Sequence, residues 1–171
     1  MKKLLSVILA GLMVLSMTAC GGGTKVSLSY NSGYENSKTF GVEFTYPDNA
    51  DIELYTEEDY AEINDNVEEY TFEIAIYEDD DYEYSENWAK ESVADTYKEV
   101  EVLGYKGYSY SIVSEYTVIL PFEEVEEGVF RYVELELQID GDAEETEKFF
   151  NENKDIQSIL KSMKYLGNIE E

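Results

Sequence analysis

The sequence predicts an α+β domain: an antiparallel β-sheet of about six strands with helices packed on it, behind an N-terminal signal helix and a flexible tether. Three observations carry this. Most apolar residues alternate with polar ones at period two, as in half-buried strands. The pattern changes to a helical stripe at two places only, near Trp88 and near Phe149–Met163. The gaps between most strands are of hairpin length, which favours antiparallel pairing with helices packed on one sheet.

The chain opens with Met1-Lys2-Lys3, an apolar run from Leu4 to Leu15, and then Ser16-Met17-Thr18-Ala19-Cys20. A basic start, a short apolar middle and a small-residue exit describe a secretory signal. The run is too short to span a bilayer as a mature helix. Thr18-Ala19-Cys20, followed by Gly21-Gly22-Gly23, resembles the lipobox of bacterial lipoproteins, with Met17 where that family more often has Leu. The resemblance implies acylation of the Cys20 thiol and cleavage before it. Plain secretion with a cut after Ala19 is the alternative, but such a site prefers a small residue where Met17 stands. The expected divisions are residues 1–19 as signal, 20–38 as lipidated cysteine and tether, and 39–171 as one domain.

Removing the signal leaves ten basic residues against 39 acidic ones, a net charge of −29. Nucleic-acid binding needs a basic footprint, and none exists. Adsorption to anionic lipid is disfavoured too, so a membrane link falls to the acyl chain on Cys20. The charge also keeps an exposed domain soluble, and it suits cationic partners. With 43% hydrophobic residues the chain is nevertheless globular. Cys20 is the sole cysteine, so no disulfide supports the core.

Gly21–Lys38, rich in Gly, Ser and Asn, reads as the tether, with a span of about 25 Å as a flexible coil. Within it Val26–Tyr30 offers a short strand. Phe40, Val42, Phe44 and Tyr46 alternate as a strand that Pro47-Asp48 ends. Asp51–Thr56 offers another, and the acidic Glu57–Asn66 reads as a loop or helical turn. In Val67–Glu78, Tyr70, Phe72, Ile74 and Ile76 share one face. Asp79-Asp80-Asp81 then breaks the pattern. Ser85 is a good N-cap for a helix to Tyr97, whose stripe is Trp88, Ser92, Val93, Thr96 and Tyr97.

Glu99–Leu103 leads through Gly104-Tyr105-Lys106-Gly107, a hairpin connection, into a strand with Tyr108, Tyr110 and Ile112 on one face. Tyr116–Phe122 is the next strand, and Glu123–Gly128 an acidic turn. Val129–Ile139 alternates most cleanly: Val129, Arg131, Val133, Leu135, Leu137 and Ile139 face one way. Tyr132, Glu134, Glu136 and Gln138 face the other. Asp142 with Glu145 forms a capping box for the C-terminal helix, Asn153 or Asp155 restarts it, and Gly167 lies past its end.

Phe44-Thr45-Tyr46-Pro47, the Trp88 helix, Gly104-Tyr105-Lys106-Gly107-Tyr108 and Ile159-Leu160-Lys161-Ser162-Met163-Lys164 together resemble the PsbP-like α/β/α sandwich found among small bacterial lipoproteins. The resemblance covers about Thr39 to Leu166. It implies a binding or accessory role without catalysis, and it maps no catalytic motif onto this chain.

Histidine is absent and the one cysteine is assigned to lipid. Ser-His-Asp, Cys-His and the common zinc sites are therefore excluded. The GxxG spacing of Gly104 to Gly107 is read as a turn, because a nucleic-acid clamp does not suit so acidic a chain. Glu78, Asp79, Asp80, Asp81 and Glu83 are the densest acidic cluster, without the spacing of a calcium loop. Sixteen tyrosines supply contact area with hydrogen-bonding tips, or simply build the sheet. Arg131, the only arginine, anchors a ligand carboxylate or, preferably, pairs with a neighbouring Glu at a strand end.

The expected function is a non-enzymatic binding or accessory module, lipid-anchored on the outer face of a bacterial cytoplasmic membrane. A small carboxylate-dependent hydrolase of the envelope and an envelope-spacing protein are the alternatives. No cofactor is expected. The expected ligand site joins Asp79, Asp80, Asp81, Tyr82 and Tyr84 to Tyr105. The ligand is a basic peptide, a cationic wall component or, below these, a divalent cation.

Overall fold

The computed structural model describes residues 23–32, 38–47 and 52–169. The signal, Cys20 and the turn at Asp48 lie outside the described residues. Ten strands and three helices follow in order: β1 Gly23–Tyr30, β2 Phe40–Pro47, β3 Ile52–Thr56, β4 Tyr60–Asp65, β5 Tyr70–Asp79 and α1 Tyr82–Ser92. After these come β6 Lys98–Val102, β7 Tyr105–Ile112, β8 Glu115–Glu126, β9 Val129–Ile139, α2 Ala143–Glu152, α3 Lys154–Ser162 and β10 Lys164–Asn168. The fold is α+β and antiparallel, but among the described residues ten strands in two sheets replace the expected six in one. Seven pair in the order β3-β4-β5-β9-β8-β7-β6, and three in the order β1-β2-β10.

The inner face of the large sheet carries Phe72, Ile74, Ile76, Leu120, Val133, Leu135 and Leu137, each fully or almost fully buried. It packs against Val26, Leu28, Phe40, Val42 and Phe44 of the small sheet and against Phe150, Ile156, Ile159 and Leu160 of the C-terminal helices. Each large apolar chain so buried contributes about 1.5–3 kcal/mol. Helix α2 lies on β7–β9 and α3 runs beside β2. Helix α1 lies on the outer face, where Tyr82 and Ala89 meet Tyr108, Ile119 and Tyr132.

Several expectations need correction. The tether is interrupted: Gly23–Tyr30 is a strand paired along its whole length with β2, because Val26 and Leu28 reach the core. Glu57–Asn66 is not a loop but contains β4, whose Ala61 and Ile63 are buried. Helix α1 begins at Tyr82, three residues before Ser85, since burying Tyr82 outweighs the preferred cap; Asp81 precedes it with no side-chain cap bond. Thr96 and Tyr97 fall beyond its end. Glu123–Glu126 continues β8, leaving a two-residue turn at Glu127-Gly128. Gly167 does lie past the helix end, as expected, within β10 at a register shift opposite Gly41. The capping box of Asp142 and Glu145 and the restart at Asn153 are both present.

The first glycine hairpin is tighter than expected. Leu103 and Gly104, both with positive φ, make a two-residue turn, and Tyr105-Lys106-Gly107 already belong to β7. Gly107 serves a different need. A Cβ there would strike the Ile119 carbonyl oxygen of β8 and sit 3.2 Å from Leu120 Cα. Gly107→Ala should lower the unfolding free energy by about 1–3 kcal/mol, read as a fall in the urea midpoint. An unchanged midpoint would refute the close approach.

Candidate functional site

The expected site is not assembled. Asp79 ends β5, and its carboxylate is used internally. One oxygen accepts from the Asp81 N–H at 3.1 Å and the other from the Tyr132 hydroxyl at 3.1 Å. Burial first, and then the charges of Asp81 and Asp80, raise its pKa against those two bonds. Asp80 is exposed, and Asp81 leads straight into α1. Tyr82 packs on Tyr108, Tyr132 and Phe130 with ring centroids 4.9–5.7 Å apart. Tyr84 stands in solvent at 71% exposure. Tyr105 lies on the opposite face of the sheet, edge-on to Phe122 at 4.9 Å and against the main core. The loop tyrosines and the hairpin tyrosine thus share one end of the sheet but not one surface.

Arg131 sits in the third position of β9, 4% exposed. Its Nε donates to Glu78 at 2.6 Å, and Nη1 to Asn168 Oδ1 at 2.7 Å. Glu123 is a more distant ion pair at 3.4 Å. The expected pairing with a neighbouring Glu holds, and the guanidinium is enclosed by the core.

A different surface emerges from the strand register. Among the described helices, α1 packs on the outer face of the large sheet, over the β7–β9 corner. One cross-strand row runs Tyr55–Glu62–Glu73–Glu136–Thr117–Tyr110 through β3, β4, β5, β9, β8 and β7, from the exposed Tyr55 to the buried Thr117 and the edge of α1. Six strands at the usual spacing give a row about 24 Å long. Three glutamates therefore stand side by side, with Cβ atoms about 4.5–5.5 Å apart, where like charges destabilise a sheet. A tyrosine closes each end: Tyr55 is exposed, and Tyr110 is met edge-on by Trp88 at 5.7 Å. A neighbouring row brings Glu134 beside Ala75, and the row on the other side runs Asn64–Thr71–Gln138–Glu115.

The partners on this face are unequal. Glu62 accepts from the Tyr60 hydroxyl at 2.9 Å and from Asn64 Nδ2 at 2.6 Å. Among the described residues, Glu134 and Glu136 accept no side-chain hydrogen bond, and no lysine or arginine pairs with any glutamate of the row. Burial first, then the charges of Glu115, Glu73 and Glu134, push the Glu136 carboxyl up to about 7. Glu134 is raised by burial and then by Glu115, Glu73 and Asp79.

This has a sign. Between its ordinary value of 4.5 and about 7, Glu136 holds a proton when folded that it lacks when unfolded. Its cost to stability is full above pH 7, fades as pH falls, and is gone below 4.5. Glu136→Gln should raise the urea midpoint at pH 8, on the order of 1 kcal/mol after allowing for solvent screening. The gain should shrink at pH 5. An equal gain at both pH values would contradict the assignment.

Period-two alternation puts Glu73, Glu134 and Glu136 on the outward parity of their strands. It had no means of placing them in one row, because register is set by which strands pair. Among the described residues, no three acidic side chains converge as metal ligands. Compared with known proteins, the chain matches no family model, no curated protein and no solved structure.

Proposed function

We propose that the chain is a lipid-anchored extracytoplasmic lipoprotein whose outer sheet face binds a basic peptide segment or a cationic wall component, without catalysis. One observation carries the reading: the glutamate row Glu62–Glu73–Glu136, opposed strand by strand and framed by Tyr55 and Tyr110. A row that costs stability when empty gains from a cation laid on it. Its length suits about seven extended residues. Glutamates in a line off an open sheet do not enclose an ion with six to eight oxygens, so a peptide is preferred to a divalent cation. Titration of the whole processed protein in detergent with hexalysine should give saturable binding that maps to the row. Absence of saturation would sink the reading.

One observation favours a second reading, a two-carboxylate hydrolase: Glu136 retains a proton near neutrality beside Glu73. The face is open rather than a cleft around a sugar, so binding is the stronger conclusion. An envelope-spacing role would leave the row without a ligand.

The PsbP-like reading draws support from the layering, with α1 on one face of the large sheet and α2 with α3 on the other. Its seven strands and the added three-stranded sheet depart from the expectation. Anchoring rests on the Leu4–Cys20 pattern. Cys20→Ala should shift the protein from the membrane fraction to the medium, or leave uncut precursor. Normal processing with full membrane retention would exclude lipidation at this residue.

A further inference from the structure

The two layers of the fold differ in charge. Strands β3–β9 of the large sheet carry fourteen acidic residues against three basic ones. Strands β1, β2 and β10 with helix α3 carry four lysines, Lys25, Lys154, Lys161 and Lys164, against two acids, Glu43 and Asp155. Glu43 is already matched: Lys25 forms an ion pair with it, and Lys164 stands opposite it across the β2–β10 pairing. Among the described residues, Lys154, Lys161 and Lys164 have no ion-pair partner. A strongly acidic chain thus keeps one basic surface.

The four lysines are exposed and point away from the large sheet. Lys25 and Lys164 alternate with side chains that enter the core, Val26 on β1 and Met163 before β10, and so lie on the outer face of the small sheet. On α3, Lys154 and Lys161 are seven residues apart, about two turns and 10 Å along one side. That side is opposite Ile156, Ile159 and Leu160, which are buried in the core. Leu166 and Ile169, 41% and 37% exposed, lie over Gly41 beside the lysines.

The chain enters the fold at this same surface. Strand β1 begins at Gly23, three residues after Cys20, a reach of at most about 10 Å. Two residues further on, Lys25 pairs with Thr45 of β2. The Thr45 N–H donates to Ser162 Oγ at 2.8 Å, which brings the end of α3 to the same place.

We infer that this face is a membrane-docking surface: with an acyl chain on Cys20 inserted, Lys25, Lys154, Lys161 and Lys164 lie on the phosphates of an anionic bilayer, and the glutamate row faces away from it. The inference rests on the anchoring at Cys20 proposed above. A bilayer of that charge repels the acidic domain when it is free in solution. Anchoring holds the domain within reach, and docking becomes a choice of orientation. Stacked layers lie about 10 Å apart and the Debye length at physiological salt is about 8 Å, so the outer-face glutamates are largely screened while the lysines make contact. Each lysine at an anionic surface favours the docked orientation about fivefold. Leu166 and Ile169 add apolar contact at the headgroup boundary.

The test is lysine acetylation, read site by site by mass spectrometry, on the processed chain, residues 20–171, coupled through the Cys20 thiol to vesicles bearing a maleimide lipid. One vesicle set is phosphatidylcholine, and the other mixes it with phosphatidylglycerol. Lys154, Lys161 and Lys164 should react roughly fivefold more slowly on the anionic set. Lys90 on α1 and Lys106 on β7, both on the outer-face side, should react equally on the two sets. Lys154→Gln/Lys161→Gln/Lys164→Gln should return Lys25 most of the way to its rate on neutral lipid, with a native near-UV spectrum because the three side chains are exposed and unpaired. Equal rates on both vesicle sets, protection shared equally by Lys90 and Lys106, or protection of Lys25 that the triple variant leaves intact would each overturn the docking face. Because the coupling is chemical, these outcomes do not depend on acylation in the cell, which the Cys20→Ala fractionation reads separately.

Discussion

Arg131→Met should lower the unfolding free energy by about 3–5 kcal/mol, the range for breaking one half of a buried ion pair. Glu78, its partner, has a side chain only 9% exposed, so the variant would leave a carboxylate in the core without its cation. More is lost than the pair. Nη2 donates to the Lys38 carbonyl at 3.2 Å, Nη1 reaches Asn168 in β10, and the guanidinium lies 4.8 Å from the centre of the Phe40 ring in β2. One side chain thus adds polar and ring contacts to the small sheet beside the shared apolar core. The double variant Arg131→Met with Glu78→Met should recover most of the loss, since a matched apolar pair replaces both buried charges. Urea unfolding of the wild type, both single variants and the double variant checks this. Additive losses would mean that the two residues are not coupled.

Glu62→Gln/Glu73→Gln/Glu136→Gln should weaken hexalysine binding roughly thirty- to hundredfold. Each half-exposed contact is worth at most about 1 kcal/mol, and three act on one ligand. The overall charge also attracts any polycation, so a matched control is needed. Asp80→Asn/Glu83→Gln/Glu91→Gln removes three exposed charges from the approach to α1 and from its surface. It should weaken binding only a few-fold. Equal losses in the two triple variants would mean general acidity rather than a site. The row variant should also be the more stable protein above pH 7, because opposed carboxylates no longer repel. Loss of binding accompanied by a gain in stability separates a removed site from a damaged fold.

How far the sequence disclosed this depends on which residues reach the core. Tyr132–Ile139 alternates cleanly, and the strand has the expected bounds, Val129–Ile139. Tyr70, Phe72, Ile74 and Ile76 were legible as one buried face for the same reason. Asp142, Glu145 and Asn153 announced their helix ends because capping is local chemistry. Where the inward positions are few or polar, the pattern fails. Strand β1 buries Val26 and Leu28 amid Ser and Lys, so it resembles a linker. Strand β4 uses Ala61, Ile63 and Asp65 as its inner residues, and Asp65 is buried by capping the next turn. Strand β10 is five residues long with no buried side chain. Tyr82 and Tyr105 fall near each other in any linear reading of strand ends, yet Tyr82 opens α1 over the outer face while strand parity turns Tyr105 to the inner one. The glutamate row is the extreme case. Its members are 11 and 63 residues apart, and they meet only because β5 pairs with β4 on one side and β9 on the other.

The most direct measurement is the ¹³C-detected carboxyl titration of Glu136 in the whole protein, with and without hexalysine. The opposed row predicts a midpoint near 7 in the free protein. It predicts a fall of that midpoint when the peptide's ammonium groups lie on the row, since a nearby positive charge favours the carboxylate. A midpoint near 4.5 in the free protein, or one near 7 that saturating hexalysine leaves unmoved, would contradict the outer face as the binding site.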